Sequence, residues 1–159
     1  MSSTNDQDIL DPQITRDRVV ATLQAMPYAR HLGIRLLAEP ADSTVFHLPF
    51  DGRIIGNPTL PAIHGGVVAT FMQAAALAST YALMREDVPP KLVDFSIDYL
   101  SSAGPTDLFA KCEMHRVGQR IASVGIRCWQ KNSDALVALA RAHMFVAPSA
   151  SDASVMEAF

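Results

Sequence analysis

The chain has 159 residues, 49% of them hydrophobic and 18% charged, with a formal net charge of -3. That length suits one domain with a real core, and that composition excludes a wholly disordered chain. The net charge argues against a nucleic-acid binder held by phosphate contacts. Two cysteines, Cys112 and Cys128, exclude a disulfide scaffold and a four-cysteine zinc site. They read as two buried or free thiols in a reducing, cytoplasmic setting. Met1 to Gln13 carries neither a basic n-region nor an apolar h-region, so no secretory signal is expected there.

The first and last dozen residues are polar and poor in core formers. They predict flexible tails over 1–13 and 148–159 around one domain, 14–147. Thr15 to about His31 reads as a helix, with Thr15 able to cap it, Val19, Val20 and Leu23 on one face, and Pro27 ending or bending it. Ile34 to Ala38 and Ser43 to Phe50 read as a hairpin around a turn at Pro40 and Asp42. Asp51 to Ile63 holds two glycines, two prolines and an asparagine in 13 residues, which predicts a loop. It feeds His64-Gly65-Gly66 and then Val67 to Met84, where 18 positions carry no charge.

That stretch reaches the lower edge of a membrane span. Its Ala, Ser and Thr content, Gln73 and the lack of flanking basic residues fit a central buried helix instead. From Lys91 the period changes to two. Val93, Phe95, Ile97 and Tyr99 share one face of a strand, and Leu108, Ala110, Cys112 and Met114 one face of the next. Ile121–Trp129 and Leu136–Val146 complete four strands joined by short turns, which favours an antiparallel sheet. The expected class is α+β, a curved antiparallel sheet wrapped on one long helix.

Gly56-Asn57, His64-Gly65-Gly66-Val67, Phe95 to Leu100 (FSIDYL), Arg116-Val117-Gly118-Gln119-Arg120 and Ala138 to Val146 carry a resemblance. Over about Leu32 to Ala147 the chain resembles the hotdog-fold thioesterases, and within them the phenylacetate-type (PaaI-like) acyl-CoA thioesterases with an HGG motif. The resemblance implies hydrolysis of a CoA thioester with no separate cofactor or metal. It also implies a homodimer, often a dimer of dimers, with sites at the subunit interface. Neither nucleic acid nor membrane is an expected partner.

The motif has an independent chemical reading. Thioester hydrolysis develops negative charge on the carbonyl oxygen, and N–H groups at a helix N-terminus are unpaired and electropositive. Gly65, helped by Gly66, would supply an oxyanion hole that no side chain obstructs; alternatively both glycines only permit a tight turn. His64 serves either the thioester carbonyl or the loop backbone. Asn57 either positions water or carbonyl, or forms a turn beside Pro58. The family's carboxylate, general base or nucleophile, stands nine residues after its histidine. This chain has Gln73 there, flanked by Phe71, Met72 and Ala74 in a stretch expected to be buried. A carboxamide holds water by hydrogen bonds but accepts no proton near neutral pH. Leu92 likewise stands where many relatives have Thr or Ser.

For coenzyme A, Arg116, Arg120 and the Gly118 backbone suit phosphates, unless they form only a charged turn facing solvent. Ser101 and Ser102 follow the strand where the family places ligand-contacting backbone, and Gly66 is included among the ligand-binding positions. Asp51 reads as a turn residue; Asp94 and Asp98 read as solvated or paired across strands. Tyr99 and Trp129 read as core or interface packing. The sequence therefore predicts an acyl-CoA thioesterase with Gln73 in its site. Its rival is a non-catalytic acyl-CoA binder or partner subunit. A hotdog hydratase ranks below both, since no His–carboxylate pair falls near the helix.

Overall fold

A computed structural model of the chain describes residues 12–37, 44–84 and 88–146. The tails expected over 1–13 and 148–159 lie outside these residues, except that 12 and 13 open the first helix. That helix, α1, spans Pro12–Ala25, and α2 spans Pro27–Leu32. Proline at a first helical position gives up an N–H that has no helical partner anyway. Pro27 therefore divides what the sequence reads as one helix, and Thr15 lies inside α1 rather than capping it. Gly33 ends α2 at φ 71°, the left-handed conformation that favours glycine.

Strands β1 (Arg35–Leu36) and β2 (Val45–Leu48) follow; the Ala38 end of the expected first strand and the Pro40–Asp42 turn lie outside the described residues. The loop expected over 51–63 holds a 3-10 turn at Gly52–Ile54 and a small hairpin, β3 (Ile55–Asn57) with β4 (Ala62–Ile63). The charge-free stretch forms α3, Gly65–Ala82. Among the described residues no helix is long and apolar enough to cross a membrane. Four long strands complete the chain: β5 (Lys91–Tyr99), β6 (Leu108–Val117), β7 (Ile121–Trp129) and β8 (Leu136–Phe145).

The sheet runs β1-β2-β6-β7-β8-β5, antiparallel throughout. Its inner face is floored by small residues, with Ala110, Ala122, Ala138 and Ala142 fully buried. Ala74, Ala75, Ala76 and Ala78 of α3 are buried against the same core. Short side chains on both surfaces let the sheet curl closely round the helix. Phe46, Leu48, Phe71, Met72, Leu108 and Met144 fill the space at the sides. Each such side chain contributes about 1.5–3 kcal/mol on burial. Helix α1 covers α3 through Val19 and Leu23, both buried, while the Arg18 guanidinium stacks 5.1 Å from the Tyr81 ring. A curved antiparallel sheet around one long helix is the hotdog fold.

Two features bear on the site. A corner network fastens β1, β2 and β6. Arg35 Nε donates to His47 Nδ1 (2.9 Å), His47 Nε2 pairs with Asp107 Oδ2 (2.8 Å), and the Phe50 N–H donates to Asp107 Oδ1 (2.8 Å). The Phe50 amide and His47 together hold the Asp107 carboxyl below its usual value. Strand β5, in turn, is one of the sheet's two edges, with β1 at the other. A register shift between Leu92 and Asp94 inserts Val93 as an extra residue. Phe95 and Ile97 pack inward as the alternation predicts, but Val93 and Tyr99 are 60% and 53% exposed, so the apolar face of β5 is covered only at its middle.

Candidate active site at the head of the central helix

The β3–β4 hairpin delivers the chain to α3. Asn57 turns it, its Oδ1 accepting from the N–H groups of Thr59 (3.1 Å) and Leu60 (3.3 Å). The side-chain oxygen expected to hold a water is thus occupied by the turn. Asp51 works similarly one step earlier. Its carboxylate caps the 3-10 turn and binds Arg53, which lowers its pKa to about 2. At Gly56 the chain passes directly over His64. A Cβ there would lie 2.7 Å from the His64 Cα, so only glycine allows this approach. The His64 N–H donates to the Ile54 carbonyl at 2.9 Å.

His64 is the N-cap of α3. Its Nδ1 accepts from the Gly66 N–H at 2.9 Å, so the neutral ring carries its proton on Nε2. The Val67 and Val68 N–H groups both donate to the His64 carbonyl, at 2.9 and 3.2 Å. Of the four N–H groups that open the helix, three are therefore committed. The Gly65 N–H has no acceptor among the described residues. Gly66 is thereby removed as a second donor, because its amide serves the cap.

Gly65 and Val68 line a cavity of about 400 Å³ with Tyr99, Ser101, Ser102 and Val137. The far wall is fastened at two places. The Ile63 N–H donates to the Ala103 carbonyl (2.8 Å), and the Gln130 carboxamide exchanges two 2.9 Å hydrogen bonds with the Gly104 backbone. The Tyr99 hydroxyl donates to the Gly65 carbonyl at 2.7 Å. Tyr99, which the sequence reads as core or interface packing, is a half-exposed wall of this cavity. Neither Gln130 nor Tyr99 was singled out for such a task by the sequence; an aromatic in an alternating strand and a glutamine before a turn give no such signal.

Gln73 stands eight residues beyond Gly65, about 12 Å along the helix axis. It is half-buried, less enclosed than its neighbours suggest, on the open stripe of α3 with Ala69, Thr70 and Leu77. Its carboxamide has no hydrogen-bond partner among the described residues. Leu92 lies on the edge strand, 38% exposed.

Arg116, Gly118 and Arg120 line a separate cavity of about 490 Å³ with Ser123 and His143. The Gly118 N–H is committed to the Ile121 carbonyl (2.9 Å), which closes the β6–β7 turn. That turn adjoins the Ile121–Phe145–Lys91 row of the sheet, whereas Ser101 and Ser102 follow the Tyr99–Ala138 row. Eight strand residues separate the rows, roughly 26 Å. Within one chain the arginines and the serines are not brought together. Asp94 pairs across strands with His143 (Nδ1 to Oδ2, 3.2 Å), as its polar face predicts. Burial pushes Cys112 and Cys128 up to about 12, so neither thiol is a nucleophile. No metal-binding cluster occurs among the described residues.

A helix-head glycine lining a cavity in a hotdog fold defines the class of site to compare, and comparison with known proteins shows which family shares it. A family profile described as the thioesterase superfamily matches residues 60–137. A Chromobacterium violaceum protein of solved structure is 35% identical over 85% of this chain and 95% of its own, with a TM-score of 0.65. A Bordetella protein from the thioesterase superfamily is 25% identical over 83% of this chain and 98% of its own, at a TM-score of 0.74. The PaaI protein of the E. coli phenylacetic acid degradation operon shares the fold at 16% identity and a TM-score of 0.73, over 86% of this chain and 96% of its own. No curated protein matches the sequence. The chain belongs to the thioesterase superfamily.

Proposed function

We propose that the protein hydrolyses an acyl-CoA thioester at a site completed by a second copy of the chain. The observation that carries this reading is the Gly65 N–H at the head of α3, which has no acceptor among the described residues and belongs to a residue that lines the cavity. A thioester carbonyl placed there receives the donor where its oxygen gains negative charge, at the positive end of the helix dipole. Water adds to the carbonyl carbon, the C–S bond breaks, and the CoA thiolate leaves and takes up a proton. The free acid is the second product.

The geometry supports a two-chain site. Gln73 is too far along its own helix to reach a carbonyl bound at Gly65. The open stripe of α3 and the bare edge of β5 are where a second copy would supply its own Gln73. Antiparallel pairing of two β5 edges sets the Tyr99 end of one strand against the Lys91 end of the other. It thereby moves the second copy's Arg116–Arg120 turn toward Ser101 and Ser102, where arginine forks suit the phosphates of CoA. In such a site Gln73 holds the water without accepting its proton. General-base help is worth about 10²–10⁴-fold, so slow turnover follows.

Release of CoA thiol from saturated, aryl and hydroxyaryl CoA thioesters tests the reading. Gln73→Glu should raise kcat tenfold or more, and Gly65→Pro, which deletes the donor, should abolish turnover. A second reading, an acyl-CoA binder or non-catalytic subunit, is favoured by the carboxamide at 73 together with Leu92. It predicts binding of CoA esters with no turnover by the wild type and no gain from Gln73→Glu. A chain that neither binds nor cleaves them refutes both readings.

A further inference from the structure

The geometry points to Tyr99 as the positioning residue of the Gly65 donor. This inference rests on the thioester reading above. Tyr99 is the last residue of β5, and its hydroxyl donates to the Gly65 carbonyl at 2.7 Å. That carbonyl and the Gly66 N–H are the two ends of one rigid peptide plane. The N–H end is held by His64 Nδ1 at 2.9 Å. The Gly65–Gly66 peptide is thus pinned at both ends by side chains, one from the loop and one from the sheet.

Such pinning matters because two consecutive glycines restrain their own backbone less than any other pair. Among the described residues the Gly65 N–H is the one opening amide with no acceptor. It lies in the preceding peptide plane, whose His64 carbonyl takes the Val67 and Val68 N–H groups. That plane meets the pinned one at the Gly65 Cα, so the pin sets where the donor stands against the sheet. The Tyr99 ring also lies close over the glycine. A Cβ at Gly65 would meet the phenol oxygen at 3.3 Å. Phenylalanine would keep this wall and lose only the pin. The hydroxyl never needs to touch the substrate. It holds the glycine that carries the donor in place before the substrate arrives, so that no reorganisation is needed as charge develops. Because Tyr99 belongs to the edge strand, it also ties the donor to the strand that a second copy would cover.

The test is Tyr99→Phe in the full chain. Turnover of the best CoA ester is measured together with binding of a non-hydrolysable S-alkyl CoA thioether and hydrogen exchange of the Gly66 amide. The expected result is a fall in kcat of roughly three- to tenfold, the span of one net hydrogen bond. KM, thioether affinity and thioether stoichiometry should be unchanged, and Gly66 exchange should be faster. Unchanged stoichiometry separates a displaced donor from a misfolded fraction. Unchanged kcat, or a matching loss of thioether binding, overturns the assignment. If the wild type cleaves no CoA ester, the thioester reading fails separately. Gly66 exchange then decides the pin alone: acceleration in Tyr99→Phe supports it, and an unchanged rate overturns it.

Discussion

Gly56→Ala tests whether the approach of β3 to His64 builds the site. The added Cβ would meet His64 Cα at 2.7 Å, Cβ at 2.8 Å and Cδ2 at 2.9 Å. Ordinary carbon contacts lie at about 3.5–4.0 Å, so each contact is short by roughly 0.6–1.3 Å. Two ways of relieving the clash are open, and both damage the site. Moving β3 away breaks the His64 N–H bond to the Ile54 carbonyl and the pairing of Ile55 with Ile63. Moving His64 takes its Nδ1 from the Gly66 amide. Overpacking of this kind costs about 1–3 kcal/mol. At about 2–4 °C per kcal/mol for a domain of this size, Tm should fall by about 2–12 °C. Gly52→Ala is the matched control, since a Cβ there meets nothing within 4 Å. Calorimetric melts of both variants, with CoA-ester turnover measured well below Tm, give the comparison. A Gly56→Ala protein that melts with Gly52→Ala and keeps full turnover would refute the claim that this approach shapes the helix head.

Gln130→Ala should strip the cavity wall of its clamp, leaving the Gly104 N–H and the Gly104 and Thr106 carbonyls without their partner. A loss of about 1–3 kcal/mol in denaturant unfolding is expected, with a raised KM; an unchanged midpoint contradicts it. Cys112 and Cys128, both raised to about 12, should react with a thiol reagent at pH 8 only after denaturant is added. Prompt labelling of the native protein would show that the inner sheet face is open. Asp107 has a folded pKa below its ordinary value of 3.8. Its stabilisation is complete above that value and is lost as pH falls through the lower folded one. Asp107→Asn should therefore be less stable at neutral pH, with the gap closing below about pH 4 in acid melts; a gap that stays constant on acidification refutes the linkage.

The alternation of Leu108, Ala110, Cys112 and Met114, and the charge-free run from Val67, made the sheet and the buried helix legible. Their periods follow directly from strand and helix geometry and need no neighbour to interpret. The glycines at the head of the helix were legible for the same reason, since two glycines at a helix start act locally, whereas the cap by His64 was not read. What the sequence left open was how the donors are shared out. Only the folded chain decides that His64 takes the Gly66 amide, that Asn57 spends its oxygen on a turn, and that Gly65, of the amides opening α3, has no acceptor among the described residues. Those outcomes depend on distances between groups that the chain brings together from both sides of a loop. The tether from Tyr99 and the clamp from Gln130 span 34 and 26 residues, and no local pattern encodes contacts of that range. The separation of Arg116 and Arg120 from Ser101 and Ser102 has the same origin. Strand register sets them at opposite ends of the sheet, and register is fixed by the packing of every strand against the helix rather than by any motif.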